Sequence, residues 1–253
     1  MAAVRGRNMD HQDTASRPAG AFIFDLDGTL VDSRTDIAAA ANVARAVLGL
    51  SPLPEPTLRD YVGDGVMLLL RRVLGHDLAA TAEGPGVLPV DDARLPAAHA
   101  AYMDHYGRHL LDHTRPYDGV PELLRALSGV PLMVATNKPG GFSATILAGL
   151  GLDAYFRRVV GGDQVPARKP DPAHLRACLQ GLTVETSTIV VVGDSPNDIL
   201  AARALGAVAV GCTWGLVPAP VLRALAPDHL INAPLELAAL YAPRDRGPSQ
   251  EKP

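Results

Sequence analysis

Residues 21–30 have the sequence AFIFDLDGTL, and the change of character within this stretch decides the fold. Four apolar residues come first, and two aspartates separated by a single leucine follow them directly. A run that is apolar at every position is typical of a strand buried on both faces of a parallel sheet. Open sheets of this type bind ligands beyond the carboxyl ends of their strands. The two aspartates are therefore predicted to lie where a ligand would bind.

Four more runs of the same kind follow along the chain, each bounded by glycine, proline or aspartate. They are PLMVA (131–135), RVVGG (158–162), TIVVVG (188–193) and AVAVG (207–211). Helical patterns lie before or between most of them, at 121–128, 140–150, 171–180 and 197–205. This alternation predicts an α/β fold with a doubly wound, parallel, Rossmann-like sheet.

The interval after the first run is unusual, because about a hundred residues separate it from the second run. Helical patterns at 35–49, 66–74 and about 92–112 occupy this interval, with breaks rich in proline and glycine between them. A connection of this length predicts an inserted α-helical cap domain. We expect the following division: a core at 21–33 and 115–242, a cap at 34–114, a disordered extension at 1–20 and a disordered tail at 243–253.

The composition excludes several classes of protein. The chain has 253 residues, 47% of them hydrophobic, and a net charge of −4, which fits a globular protein and gives no electrostatic reason to bind nucleic acid. No apolar run reaches the roughly 18 residues that a membrane helix needs. The two cysteines, Cys178 and Cys212, have no metal-binding or redox spacing. We therefore expect a cytoplasmic monomer or homodimer with neither a nucleic-acid nor a membrane partner.

Polar side chains follow four of the predicted strands, and parallel strands present their carboxyl ends on one edge of a sheet. Together these segments supply four carboxylates, several hydroxyls and two of the chain's three lysines. Carboxylates suit Mg²⁺, and the cations would neutralise a phosphate group. The segments are Asp25 to Leu30, Thr136 to Lys138, Arg168 to Pro170, and Gly193 to Asp198.

These segments carry a resemblance to a known family. FDLDGTLVDS, ATNK, ARKPDP and GDSPND, in this order, resemble the four motifs of the haloacid-dehalogenase superfamily, and the similarity extends from about residue 21 to 242. Within that superfamily, YVGDGVMLLLRRVLG (61–75) resembles the cap segment of the phosphoglycolate phosphatases. The resemblance implies a Rossmann-like core with a helical cap and a Mg²⁺-dependent enzyme.

The resemblance also implies the catalytic and metal-binding roles of the core. Asp25 would attack phosphorus and become an aspartyl-phosphate, and Asp27 would act as general acid and then general base. Mg²⁺ would be held by the carboxylates of Asp25 and Asp194 and by the backbone carbonyl of Asp27. Lys169 would neutralise the phosphate.

Four other core residues take supporting roles under the same resemblance. Thr136 would donate its hydroxyl to a phosphoryl oxygen, and Asp198 would support Lys169 or the metal-bound waters. Gly28 and Asn137 are assigned to substrate binding. Asp198 could equally be a first-turn helix residue, because acids favour helix N-termini.

The candidates for substrate binding in the cap are less specific. Gly63 and Gly65 either bend the cap or approach the substrate directly. No lysine occurs between residues 34 and 116, so Arg71 and Arg72 are the candidates for a cationic partner, although either could belong to a solvated helix face. The sequence leaves two roles open for Lys138 in the core: it acts near the phosphate, or it is a surface charge.

These observations predict a Mg²⁺-dependent phosphomonoesterase for a small molecule, with 2-phosphoglycolate as the first candidate. A sugar phosphate, a nucleotide, pyrophosphate or a capped phosphosugar mutase reaction are the alternatives. A dehalogenase is disfavoured because a halide leaving group needs no acid at Asp27. A phosphonate hydrolase is disfavoured because it would need a cap lysine, and a non-catalytic binding module would not need the intact set of nucleophile, acid, lysine and metal ligand.

A row of histidines in the cap requires a separate interpretation. His105, His109 and His113 recur at every fourth position, and two such imidazoles on one helix can share a metal ion. The alternative, which we favour, is a polar helix face that includes Tyr102 and Tyr106.

Overall fold

The computed structural model describes residues 18–78 and 86–241. The predicted tail at 243–253 and most of the predicted extension at 1–20 lie outside these ranges. Gly20, the last residue of that extension, donates its backbone N–H to the carbonyl of Thr188 at 2.9 Å. The start of the first strand is therefore joined to the neighbouring segment of the core.

The strands form one large sheet and one short ribbon. They are β1 (Ala21–Phe24), β2 (Val31–Asp32), β3 (Arg115–Pro116), β4 (Leu132–Thr136), β5 (Arg158–Gly161), β6 (Ile189–Gly193), β7 (Val208–Cys212) and β8 (His229–Ile231).

The α-helices alternate with these strands or lie in the long insert. They are α1 (Arg34–Ala46), α2 (Glu55–Arg59), α3 (Val66–Gly75), α4 (Leu95–Arg108), α5 (Val120–Ala126), α6 (Gly140–Gly149), α7 (Pro172–Cys178), α8 (Pro196–Leu205), α9 (Ala219–Ala224) and α10 (Pro234–Tyr241). Within the described ranges, none of these helices combines the length and apolar character needed to cross a bilayer.

The large sheet confirms the predicted doubly wound topology. Its strand order is β5-β4-β1-β6-β7-β8, and all its pairs are parallel. The central strand β1 pairs with β4 on one side and β6 on the other, which makes it the point where the strand order reverses. A crevice forms at the carboxyl ends of the strands at such a point, and ligands bind there.

Both faces of the sheet are buried, as the continuous apolar runs predict. Phe22 and Phe24 of β1 belong to one apolar cluster, whereas Ala21 and Ile23 belong to a second cluster on the opposite face. All four side chains are buried. Because side chains alternate along a strand, this division follows directly from the pleat.

The insert is helical, as predicted, and the ribbon marks where the chain enters and leaves it. The antiparallel pair β2–β3 joins Val31 to Pro116 and Asp32 to Arg115. Helices α1 to α4 pack against one another between these two crossings. The exact domain boundaries at residues 34 and 114 stay a prediction.

Candidate active site

Asp25 lies at the carboxyl end of the central strand. Its backbone N–H still donates to the carbonyl of Val192 at 2.9 Å, which fixes the residue in the sheet. Its carboxylate accepts a hydrogen bond from Nζ of Lys169 at 2.8 Å. Burial raises the pKa of Asp25 to about 6, although the charge of Lys169 opposes this shift. Burial thus withdraws hydration from this carboxylate, and a cation lies beside it.

Lys169 is 3% exposed and has two carboxylate partners. Besides Asp25 it donates to Asp198 Oδ1 at 2.6 Å, and its backbone N–H donates to Nδ1 of His174 at 3.3 Å. Burial alone would lower the pKa of Lys169, but the charges of the two carboxylates outweigh burial and raise it. The side chain is therefore a fixed ammonium charge.

Three carboxylates converge at this point and could hold a divalent metal ion. One oxygen each of Asp25, Asp194 and Asp198 lies within 4.8 Å of the others. Burial, together with the charges of the other two aspartates, raises the pKa of Asp194 well above its usual range. Hard oxygen donors at a site crowded with negative charge suit a cation such as Mg²⁺ or Mn²⁺.

The three carboxylates are not equivalent, because Asp198 is already fully engaged. Its Oδ1 accepts from Lys169, and its Oδ2 accepts from the backbone N–H of Ser195 at 3.1 Å and from the Ser195 hydroxyl at 2.6 Å. Asp198 thus caps α8 and orients Lys169 at the same time, so the two interpretations suggested by the sequence are compatible. Asp194 accepts from the backbone N–H of Leu216 at 2.6 Å.

Gly28 permits the close approach of the first loop to Asp194. Its φ is +88°, and a Cβ at this position would lie 2.2 Å from Asp194 Oδ2. Any side chain would therefore displace the carboxylate. The geometry explains a structural need for glycine here, close to the prospective metal.

Asp27 lies beside a second lysine. Its carboxylate accepts from the hydroxyl of Ser33 at 2.5 Å and from Nζ of Lys138 at 2.8 and 2.9 Å. Lys138 is 7% exposed, and its ammonium lies 4.7 Å from the centroid of the Tyr106 ring. Lys138 is therefore part of this site and not a surface charge, which the sequence alone left open.

Thr136 and Asn137 lie between the two lysines. The Thr136 hydroxyl oxygen accepts the backbone N–H of Lys138 at 3.2 Å, so its own proton remains to be donated. The Asn137 amide donates to the carbonyls of Gly63 in the cap and Lys169 in the core, at 3.0 and 3.1 Å. Asn137 thus joins the cap to the core beside the cavity.

A cavity of about 470 Å³, counting the solvent at its mouth, lies over Asp25, Asp27 and the segment from Thr136 to Lys138. The core contributes the polar floor, and the cap contributes a mainly apolar roof. The lining residues are Asp25, Asp27, Ile37, Val62, Gly63, Gly65, Val66, Leu69, Tyr102, Tyr106, Thr136, Asn137, Lys138 and Pro139.

The structure does not bring Arg71 and Arg72 to this cavity. Arg71 donates to the carbonyl of Leu88 at 2.5 Å, and Arg72 donates to the carboxylate of Asp64 at 2.7 Å. Neither lines the cavity, whereas Gly63 and Gly65 of the preceding turn do. The physical reason is that helical side chains extend towards the N-terminus of the helix and over its flank, so Arg72 reaches back to the turn.

The histidine row forms no metal cluster within the described residues. The rings of His105 and His109 stack at 4.3 Å, His109 contacts Asp112, and His113 contacts Asp36. The expectation that Tyr102 and Tyr106 share this polar face was wrong. Both tyrosines of α4 are buried, and they line the cavity.

Sequence reasoning missed three residues of the site: Ser33, Tyr106 and His174. Ser33 lies at the end of the first motif, so its position was a usable signal. Tyr106 could have been found from the apolar face of α4, since it follows Tyr102 by one helical turn. His174 gave no signal, because nothing in the sequence indicates that its ring reaches the backbone of Lys169.

The chain matches the family model of haloacid dehalogenase-like hydrolases over residues 22–212. The chain belongs to this family. It is 41% identical over 219 residues to a phosphoglycolate phosphatase of Neisseria meningitidis, covering 84% of this chain and 89% of that one. It is 39% identical over 220 residues to a phosphoglycolate phosphatase of Chromobacterium violaceum, covering 86% and 94% respectively.

A solved structure agrees with these sequence relatives. The crystal structure of a predicted phosphoglycolate phosphatase from Haemophilus somnus superposes with a TM-score of 0.78 at 30% identity, covering 88% of this chain and 97% of that one. The present chain is thus an enzyme of the phosphoric monoester hydrolase class, with the helical cap and parallel sheet of its relatives.

Proposed function

We propose that this enzyme hydrolyses 2-phosphoglycolate to glycolate and phosphate, with Mg²⁺ as cofactor and an aspartyl-phosphate on Asp25 as intermediate. The observation that carries the proposal is the contact of Asp25 with Lys169 at 2.8 Å, beside Asp194, on the floor of a capped cavity. This arrangement offers a carboxylate nucleophile, a fixed cation and a prospective metal site at one point. The names of the two sequence relatives support the choice of substrate.

The side chains account for both halves of the reaction. A carboxylate oxygen of Asp25 attacks phosphorus, the bond from phosphorus to the ester oxygen breaks, and Asp27 protonates the leaving oxygen so that glycolate departs. Asp27 then accepts a proton from water, which attacks phosphorus and releases phosphate and free Asp25. Lys169 neutralises the phosphoryl oxygens, and Thr136 donates its hydroxyl to one of them.

The metal site belongs to the same arrangement. Mg²⁺ would be held by the carboxylates of Asp25 and Asp194 and the backbone carbonyl of Asp27, with Asp198 outside this set because Lys169 and Ser195 occupy its oxygens. When bound, the ion supplies positive charge that offsets the repulsion between a carboxylate nucleophile and a phosphate dianion.

The apolar roof favours a small substrate over a sugar phosphate or a nucleotide. The side chains of Ile37, Val66 and Leu69 offer no hydrogen bonds to the hydroxyls of a sugar, and burying unpaired hydroxyls costs about 1–3 kcal/mol each. The two-carbon skeleton of 2-phosphoglycolate carries no hydroxyl. Its single methylene suits such a wall.

The deciding experiment is a panel of phosphomonoesters assayed for phosphate release with Mg²⁺, and again after EDTA. The panel holds 2-phosphoglycolate, glucose 1-phosphate, glucose 6-phosphate, a nucleoside monophosphate and pyrophosphate. We expect the highest kcat/KM on 2-phosphoglycolate, with activity lost in EDTA and restored by added Mg²⁺. A higher kcat/KM on another compound would reassign the substrate, and interconversion of the two glucose phosphates without phosphate release would indicate a mutase.

A further inference from the structure

We propose that Lys138 binds the carboxylate of the substrate. When the substrate enters the cavity, Lys138 releases the carboxylate of Asp27 and contacts the carboxylate of the substrate instead. The proposal rests on the function proposed above, and it names the residue that selects a substrate with a second negative charge. In the structure, Lys138 occupies the wall of the cavity and contacts both oxygens of Asp27.

The distribution of charge around the cavity supports this role of Lys138. Of the described residues that line it, Lys138 is the one with a cationic side chain. Lys169 lies behind Asp25 and is held by two carboxylates, so it serves the phosphate end. A substrate with a phosphate and a carboxylate needs a second cation, and Arg71 and Arg72 do not line this cavity. Lys138 remains as the group that can meet the carboxylate.

The position of Lys138 relative to the leaving oxygen also supports this role. Asp27 must approach the ester oxygen to protonate it, and in 2-phosphoglycolate the carboxylate carbon is two bonds from that oxygen. Lys138 Nζ lies 2.8 and 2.9 Å from the oxygens of Asp27. A cation in direct contact with the acid is therefore within reach of a carboxylate attached so close to the leaving oxygen. In a longer substrate, the second negative charge would lie beyond the reach of Lys138.

An unused donor lies at the same place. The Tyr106 hydroxyl is buried beside the side chain of Ser33 but makes no hydrogen bond of normal geometry among the described residues, and its ring lies under Lys138. A buried hydroxyl without a partner is unfavourable, so it indicates a group that arrives with the ligand. Helix α3 begins at Val66 on the same wall, and no side chain caps its N-terminus. The backbone N–H groups of its first turn are therefore additional hydrogen-bond donors.

The test compares two substrates of the same shape in the wild type and in Lys138→Met. The substrates are 2-phosphoglycolate and its amide, 2-phosphoglycolamide, in which the carboxylate is neutral. We expect the wild type to prefer the carboxylate by about 10- to 100-fold in kcat/KM, the usual range for a charged hydrogen bond. Lys138→Met should lose most of this preference. Any effect of Lys138 on Asp27 itself acts equally on both substrates and cancels in the ratio.

Binding of non-hydrolysable analogues provides a readout independent of turnover. Calorimetry with 3-phosphonopropanoate should show a loss of about 10- to 100-fold in affinity in Lys138→Met, whereas ethylphosphonate, which lacks the carboxylate, should bind both proteins alike. Retained ethylphosphonate binding also shows that the variant is folded. If Lys138→Met does not fold, Lys138→Gln is measured in the same way. Arg108→Met, which removes an exposed cap cation paired with Asp104, is the matched control and should change neither ratio.

The outcomes separate the two proposals. Equal losses on both substrates in Lys138→Met would mean that the lysine serves only Asp27, and an unchanged preference would place the carboxylate elsewhere. Either result overturns the inference and leaves 2-phosphoglycolate as the substrate. If the wild type hydrolyses 2-phosphoglycolate more slowly than other members of the panel, the proposed function fails before any variant is made, and the inference fails with it.

Discussion

At the scale of single residues, the electrostatics of the site depend on a small set of charged side chains around Asp25. Lys169 offsets part of the negative charge of Asp25, Asp194 and Asp198, and burial keeps water from screening the remainder. The sequence predicted these residues because each follows a buried strand or its loop. It did not decide the role of Lys138, because a contact with Asp27 across 111 positions of the chain has no local signature.

Asp25→Asn should abolish hydrolysis while preserving the fold. The amide has a similar shape but is a poor nucleophile, so we expect kcat to fall by about 10⁴-fold or more. Unfolding temperature should stay equal or rise, because the substitution removes one of three mutually repelling carboxylates. Phosphate release and thermal melting check both parts. Asp104→Asn on the exposed face of the cap is the control, and substantial activity in Asp25→Asn would reject the nucleophile.

His174 should make stability depend on pH. Burial lowers its pKa from 6.5 to about 4, with Lys169 adding to the effect. Its neutral ring can donate from Nε2 to the carbonyl of Val160 at 3.1 Å while Nδ1 accepts from Lys169 N–H. Because the folded pKa is depressed, this stability is present above pH 6.5 and is lost as pH falls towards 4.

The corresponding measurement is urea unfolding of the wild type and His174→Gln at pH 7.5 and 5. Between pH 7.5 and pH 5, we expect the free energy of unfolding to fall by about 2 kcal/mol more in the wild type than in the variant. Asp25 and Asp194 have raised pKa values and act in the opposite direction, which is why the difference between the two proteins is compared. The same pH dependence in both proteins would contradict the assignment.

At the scale of elements, long periodic segments were predictable and short ones were not. The five apolar runs all became strands of the sheet within a residue or two, because burial on both faces demands a continuous apolar run. The edge strand β8 has three residues, and the ribbon strands β2 and β3 have two each. Strands this short show no recognisable hydrophobic pattern in the sequence. Helix α2 begins inside the break predicted at 51–56, because Pro54 is its N-cap and Pro56 lies in its first turn, where proline is tolerated.

Arg45 holds the cap elements together and should be a determinant of stability. Its guanidinium is 1% exposed and donates to the carbonyls of Ser51 and Val73 and to the carboxylate of Asp77. Arg45→Met would leave two backbone carbonyls unpaired, so we expect a loss of about 2–4 kcal/mol in unfolding free energy. Urea unfolding measures it, with the exposed Arg125→Met as control. A loss below 1 kcal/mol would mean that water replaces these hydrogen bonds.

At the scale of the whole molecule, hydrogen bonds at two separate places join the cap to the core. At one of them Asn197 donates to the carboxylate of Asp64 at 2.7 Å. At the other Arg59 of α2 donates to the carbonyls of Gly215 and Leu216 at 2.9–3.1 Å. None of these contacts could be predicted from sequence, since each pairs a cap residue with a core residue more than 130 positions away along the chain.

The contact of Arg59 connects the position of the cap to the metal site. Leu216, whose carbonyl accepts from Arg59, donates its backbone N–H to Asp194 Oδ2 at 2.6 Å. Asp194 is a proposed ligand of Mg²⁺, and groups that orient a ligand typically change metal affinity about 10- to 100-fold. Arg59→Met removes the donor but leaves Asp194 in place. We therefore expect Mg²⁺ to bind about 10-fold more weakly to this variant, with a matching rise in the concentration needed for activation.

Calorimetric titration of Mg²⁺ into the metal-free protein measures this effect without substrate. Arg108→Met is the matched control, because Arg108 is also a cap arginine but is exposed and paired with Asp104 within the cap. Unchanged Mg²⁺ affinity in Arg59→Met would show that the loop holds its position without the cap. A loss in Arg59→Met alone would mean that the contact between Arg59 and the 215–216 loop orients Asp194 for the metal. Metal binding and this contact of the cap with the core would then stabilise each other, since coupling between two equilibria is reciprocal.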